Sequence, residues 1–134
     1  MNRSPAILHR SRRVAVIACA VLWIGAFVVT HVPAEKLPET YLGDEELHFL
    51  GFFALSGLFV LSLAAYNAAP VRRVVIVMCV MATYAAFDEA TQTLFNRYAA
   101  WQDWLADVAG AAAAIIVTES LLRALSKRRE RIAR

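Results

Sequence analysis

Charge is scarce in this chain: of its 134 residues only 19% are Asp, Glu, Lys or Arg, while 60% are hydrophobic. Soluble domains carry about 25% charged residues, so an ordinary water-soluble fold is excluded as a first reading. Cysteine is limited to two residues, too few for a disulfide framework. Five glycines and four prolines rule out collagen-like and low-complexity architectures. Histidine occurs three times and never as HExxH, and GxSxG is missing, which removes two recognised hydrolase motifs. Nor does the net charge of +3 require a nucleic-acid partner. The basic residues flank apolar runs, where they orient a chain in a membrane.

Those apolar runs are what the composition does provide. They cover residues 14–32, 47–66, 74–95 and 104–122. As helices they extend roughly 28–33 Å, matching a hydrocarbon core of about 30 Å. The expected fold is therefore all-α, a polytopic membrane protein with four transmembrane helices forming a single domain over residues 1–134. The linkers are too short for a separate soluble domain. A cleaved signal peptide is the rival reading of the first run, but its apolar stretch exceeds the usual 7–15 residues or so, and a retained helix is expected. Twelve of the fourteen Lys and Arg residues lie before residue 14, at 72–73 or after Leu122; Lys36 and Arg97 fall on the other side. This asymmetry places both termini in the cytoplasm. Tyr41, Tyr98, Trp101 and Trp104 then mark the outer boundary.

Apart from Glu119, the charged residues that interrupt the runs lie on that outer side. Asp44, Glu45 and His48 open the second helix, Asp88, Glu89 and Gln92 end the third, and Asp103 and Asp107 begin the fourth. Counted from Val74, Asp88 and Glu89 stand about 21 and 22 Å along the helix, within the outer third of the bilayer. A carboxylate at the bilayer centre costs roughly 3 kcal/mol, so such groups face a bundle interior or a wet cavity. Asp103, Asp107 and Gly110 share a face of about 60°, beside a small-residue ridge of Ala106, Gly110 and Ala114 that admits a neighbouring backbone. The loop acids Glu35, Glu39 and Glu46 read as an interfacial cap. Asp88 and its neighbour Glu89 cannot point the same way, which leaves the place of Asp88 open. Four acids (Asp88, Glu89, Asp103, Asp107) face only Arg97 and His48, so a shared proton or a bound cation is needed to balance the mouth.

The other polar residues have simpler readings. Glu119 is expected to pair with Arg123 at i,i+4, His9 to meet anionic head groups, and Cys19 and Cys79 to be free, small core residues. His31 ends the first helix near the acids. Trp23 and the phenylalanines at 49, 52, 53 and 59 are packing or lipid-facing surface.

Taken in order, the segments DEELHFLGFF (Asp44, His48, Phe52), DEATQTLFNR (Glu89, Gln92, Arg97) and DWLADVAG (Asp103, Asp107, Gly110) resemble the VanZ-like family of bacterial membrane proteins. Glu45 stands where a Lys often follows the Asp in such proteins, and Asp107 where Asn is common; both departures add negative charge. The resemblance implies a multi-pass protein of the bacterial cytoplasmic membrane and cell envelope. Through the family's namesake it is associated with low-level resistance to the glycopeptide antibiotic teicoplanin, an association that fixes no reaction.

The residues support an outer-leaflet site for an amphiphilic, lipid-linked or phosphorylated envelope substrate. His48, Glu89 and Asp103 are the catalytic candidates, with Asp44, Gln92, Arg97 and Asp107 as binding residues. The Arg97 guanidinium suits a phosphate, and His48 or Glu89 is the best general base. Enzyme and binder both stay open, as do metal occupancy and any cofactor; mid-span His pairs for haem are missing. The alternative is a small oligomeric proton- or cation-coupled transporter. Against it, the first helix contains no acid and the acids gather at one mouth.

Overall fold

The structure is a computed structural model that describes residues 5–32, 41–95 and 100–133, with side chains from Arg12 onward. Four helices make up nearly all of it: α1 (Pro5–Thr30), α2 (Asp44–Ala65), α3 (Pro70–Gln92) and α4 (Trp101–Ala133). A 3-10 turn, Thr93–Phe95, follows α3, and no strand occurs among the described residues. All four helices are long and apolar enough to cross a membrane, as expected for a multi-pass membrane protein. Within lipid every backbone polar group needs an internal partner, which a helix supplies along its whole length.

All four helices begin before their apolar runs; α1, α2 and α3 stop slightly short of the run ends, whereas α4 continues well past its own. At 33 residues, α4 reaches about 50 Å and carries its basic end well past a core of about 30 Å. At the start of α2, Asp44, Glu45 and Glu46 occupy the first turn, where carboxylates complement the exposed N–H groups. Pro70 begins α3 at the position where its missing N–H costs nothing. The turn before it needs one left-handed residue, Asn67 at φ 59°, a conformation that Asn tolerates better than most.

The tightest pairing joins α2 to α4. Gly110 makes it close, because a Cβ there would collide with the Phe49 carbonyl. Hydrophobic burial does not drive helix association in lipid, so such backbone contact and interhelical hydrogen bonds carry it. A buried layer of Phe52, Leu55, Val60, Val77, Met81, Ala85, Ala111 and Ile115 fills the bundle. Trp23 joins its edge through Phe59 and Tyr84, with ring centroids 5.7 and 5.1 Å away.

The hydrogen bonds that attach α1 to its neighbours lie near its ends. Cys19 is its only buried side chain among the described residues. At one end Arg12 Nε donates to the Ala65 carbonyl at 2.8 Å, and its guanidinium lies 5.3 Å from the Tyr66 ring centre. Ser62 Oγ, one turn deeper, is 3.2 Å from the Ala15 carbonyl. At the other end Thr30 and His31 bind α3. The start of α1, the end of α2 and the start of α3 thus share one end of the bundle.

That basic end holds a pairing the sequence did not suggest. Glu119 pairs with Arg73 of α3 rather than with Arg123: Arg73 Nε and Nη2 donate to its two carboxylate oxygens at 2.6 and 2.7 Å. Glu119 continues the buried face of Ala111 and Ile115 on α4. It therefore meets α3, where a planar guanidinium offers two parallel donors. Cys79 also departs from expectation. Both cysteines are free, but Cys79 is exposed, because α3 turns Val77, Met81 and Ala85 inward and residue 79 lies off that face.

Candidate functional site

The opposite end of the bundle is polar. The beginning of α2 supplies Asp44 and His48, the end of α3 supplies Asp88, Glu89 and Gln92, and the beginning of α4 supplies Asp103 and Asp107. Each helix turns its polar residues inward because its other faces are apolar. All of these side chains except Asp44 are buried. Arg97 lies outside the described residues.

Two neighbouring groups result. In the first, His48 Nδ1 is 3.0 Å from Asp107 Oδ1. Glu89 Oε2 accepts the Ala100 N–H at 2.9 Å, which ties α3 to the residue preceding α4. His48, Glu89 and Asp107 each bring one potential ligand atom within 4.8 Å of the others, and so do Asp44, His48 and Asp103. These two sets, sharing His48, are where a metal ion could be held among the described residues.

The second group is built around Asp88. Its Oδ1 accepts the Thr30 hydroxyl at 3.0 Å and its Oδ2 accepts the Gln92 amide at 2.9 Å. His31 stands beside it, with Nδ1 3.8 Å from Asp88 Oδ1. The same nitrogen lies 2.7 Å from the Phe27 carbonyl, and Nε2 lies 2.9 Å from Thr91 Oγ1. The Thr91 hydroxyl also donates to the Phe87 carbonyl at 2.9 Å, so His31 meets a threonine already fixed to its own helix. Asp88 and Glu89 therefore do diverge, one toward α1 and the other toward α4. Gln92 follows Asp88, one helical turn along, rather than Glu89. Thr30 and Thr91 were missed in the sequence. Their only signal was their place at helix ends of matching depth, which is common for threonine at any interface.

Beside these groups runs an apolar cleft of about 130 Å³ between α1, α2 and α3. Ala26, Val29, Gly51, Phe52 and Leu55 form much of its wall, and Asp44, His48 and Asp88 close its polar end. Gly51 leaves room there, since a Cβ added to it meets nothing within 4 Å.

A family model described as VanZ/LLP1 matches residues 14–123, spanning the four helices and both polar groups. The chain belongs to the VanZ/LLP1 family. No curated protein and no solved structure is significantly similar to it. For this VanZ/LLP1 protein, the chemistry within reach is that of the site itself: a histidine oriented by a buried carboxylate, a second carboxylate nearby, and an apolar cleft opening beside them. Such a His–Asp arrangement fixes a ring for proton transfer or for ligation.

Proposed function

We propose that this VanZ/LLP1 protein binds an amphiphile of the bacterial envelope from the outer leaflet of the cytoplasmic membrane. The hydrocarbon part enters the cleft between α1, α2 and α3, and the polar part meets Asp44, His48 and Asp88 at its polar end, with Asp107 behind His48. The observation that carries this reading is the cleft, apolar along its wall and polar at one end. Ligand pockets combine a largely apolar lining with a few placed polar groups in this way. His48, oriented by Asp107, and Glu89 offer proton transfer at that polar end. Arg97, outside the described residues, is the phosphate partner in this reading.

A conduit is less well supported. Val60, Val77, Met81, Ala85 and Ala111 are fully buried, and their layer separates the acidic end from the Arg73–Glu119 pair. Envelope function, with altered teicoplanin susceptibility as one downstream phenotype, is the biological setting we propose.

Photolabelling tests the reading. In native membranes, a phospholipid or polyprenyl phosphate with a diazirine on its chain should label cleft residues of the wild type. Gly51→Leu fills the cleft from a position with open space and should abolish that labelling without lowering membrane abundance. A deletion strain carrying Gly51→Leu should accumulate the same envelope intermediate as the strain without any copy. Equal labelling of the wild type and Gly51→Leu, at wild-type abundance, would refute the cleft as the binding site.

A further inference from the structure

We infer that His48, Glu89 and Asp107 form a binding site for one divalent first-row transition-metal ion, of the Mn²⁺ or Zn²⁺ class. Each residue contributes one donor atom, and the three donors lie within 4.8 Å of one another. They come from three different helices, so the site is set by the packing of the bundle and not by one flexible loop. Burial is nearly complete: His48 is 5% exposed, Glu89 7% and Asp107 0%.

A separate observation points to an occupant. Glu89 Oε1 and Asp107 Oδ2 are buried and have no hydrogen-bond partner. Buried polar atoms are almost always paired, and an orphaned carboxylate oxygen in particular calls for an explanation. Both orphans belong to the same three-residue set, whereas Asp88, equally buried and adjacent in sequence, has both of its oxygens satisfied. The contrast separates a carboxylate built into the packing from two that are held open.

Charge leads to the same place. In their metal-ligating forms, a neutral His48 and ionised Glu89 and Asp107 carry two negative charges, the number that one divalent ion balances in a desolvated setting. The buried arginine among the described residues is Arg73, at the far end of the bundle and already engaged by Glu119. A divalent ion neutralises the set. The imidazole donor favours a transition ion over Mg²⁺ or Ca²⁺, which take oxygen ligands. Three protein ligands also leave coordination positions open, as in catalytic rather than structural metal sites.

An approach from water exists in the second set. Asp44 is exposed, and with Asp103 and His48 it forms a further group of donors within 4.8 Å. An ion can be handed from Asp44 at the mouth, by way of His48, to the buried set. A bound cation also lets an acidic mouth accept an anionic head group, a corollary that rests on the amphiphile reading above; the ion's own binding does not.

The test uses the full chain in lipid nanodiscs, stripped with EDTA and then dialysed against Mn²⁺ or Zn²⁺. Elemental analysis should find about one ion per chain, and the melting temperature should rise on loading and fall again on chelation. Loss of a direct ligand costs at least as much as loss of a supporting residue, so Glu89→Gln should weaken binding by about tenfold or more. Asp107→Asn should behave alike, and if it fails to accumulate, the isosteric Glu89→Gln decides alone. Glu45→Gln, an exposed acid on the same first turn, should bind as the wild type does. A wild type without stoichiometric metal or thermal response would overturn the inference in favour of a shared proton. Equal affinity in the wild type and Glu89→Gln would overturn it as well. No amphiphile enters these measurements, so their failure leaves the cleft labelling to be judged separately.

Discussion

Arg73 and Glu119 show how much one buried pair decides. Removing one partner of such a pair leaves an uncompensated charge and costs roughly 3–5 kcal/mol, whereas replacing both with apolar residues is often neutral or better. Arg73→Leu should therefore lower the melting temperature of the protein in detergent sharply. Arg73→Leu combined with Glu119→Leu should recover most of the loss. If the double variant is the less stable of the two, the fork-like contact at 2.6 and 2.7 Å is itself a net source of stability. The sequence offered Arg123 as the nearer partner because i,i+4 spacing is visible in one dimension. Arg73 is 46 residues away, and only the packing of α3 on α4 brings it there.

At the scale of helices, the α2–α4 contact turns on Gly110. Any side chain at that position meets the Phe49 backbone, which cannot swing aside as a side-chain tip could. Gly110→Ala should destabilise the bundle by about 1–3 kcal/mol, the usual cost of overpacking. Gly51→Ala, made in open space, should change stability little. Thermal melts of both variants against the wild type check the pair, and equal melting temperatures would show that α2 and α4 can separate freely. The four helices and the small-residue ridge were legible because lipid imposes long apolar runs and close packing demands small residues at a four-residue spacing. The cluster of His48, Glu89, Asp103 and Asp107 at one end was legible for the same reason: polar groups inside apolar runs need each other. The division into two groups was not. It depends on the rotation of each helix about its axis, and a rotation of one residue decides whether Asp88 or Glu89 faces α4.

The molecule as a whole has one basic end and one acidic end. Arg12, Arg73 and the long tail of α4 lie at the first, and Asp44, Asp88, Glu89, Asp103 and Asp107 at the second. The excess of Lys and Arg on the first side predicts that it faces the cytoplasm. Reporter fusions after residues 40, 70, 100 and 134 should read outside, inside, outside and inside. A periplasmic reporter active after residue 134 would reverse the orientation and put the acidic end in the cytoplasmic leaflet.

Val29 and Leu47, on the wall of the cleft, are respectively 56% and 40% exposed, and in a membrane that exposure is to hydrocarbon. The cleft is therefore never presented with an empty solvent. Bulk lipid is its constant competitor, present in vast excess over any minor species. Occupancy is then governed by two-dimensional mole fraction and not by an aqueous concentration, and a selective occupant must outbid the surrounding acyl chains through its head group. Diluting the protein in buffer should leave its occupancy unchanged, while diluting the amphiphile with inert phospholipid should empty the cleft.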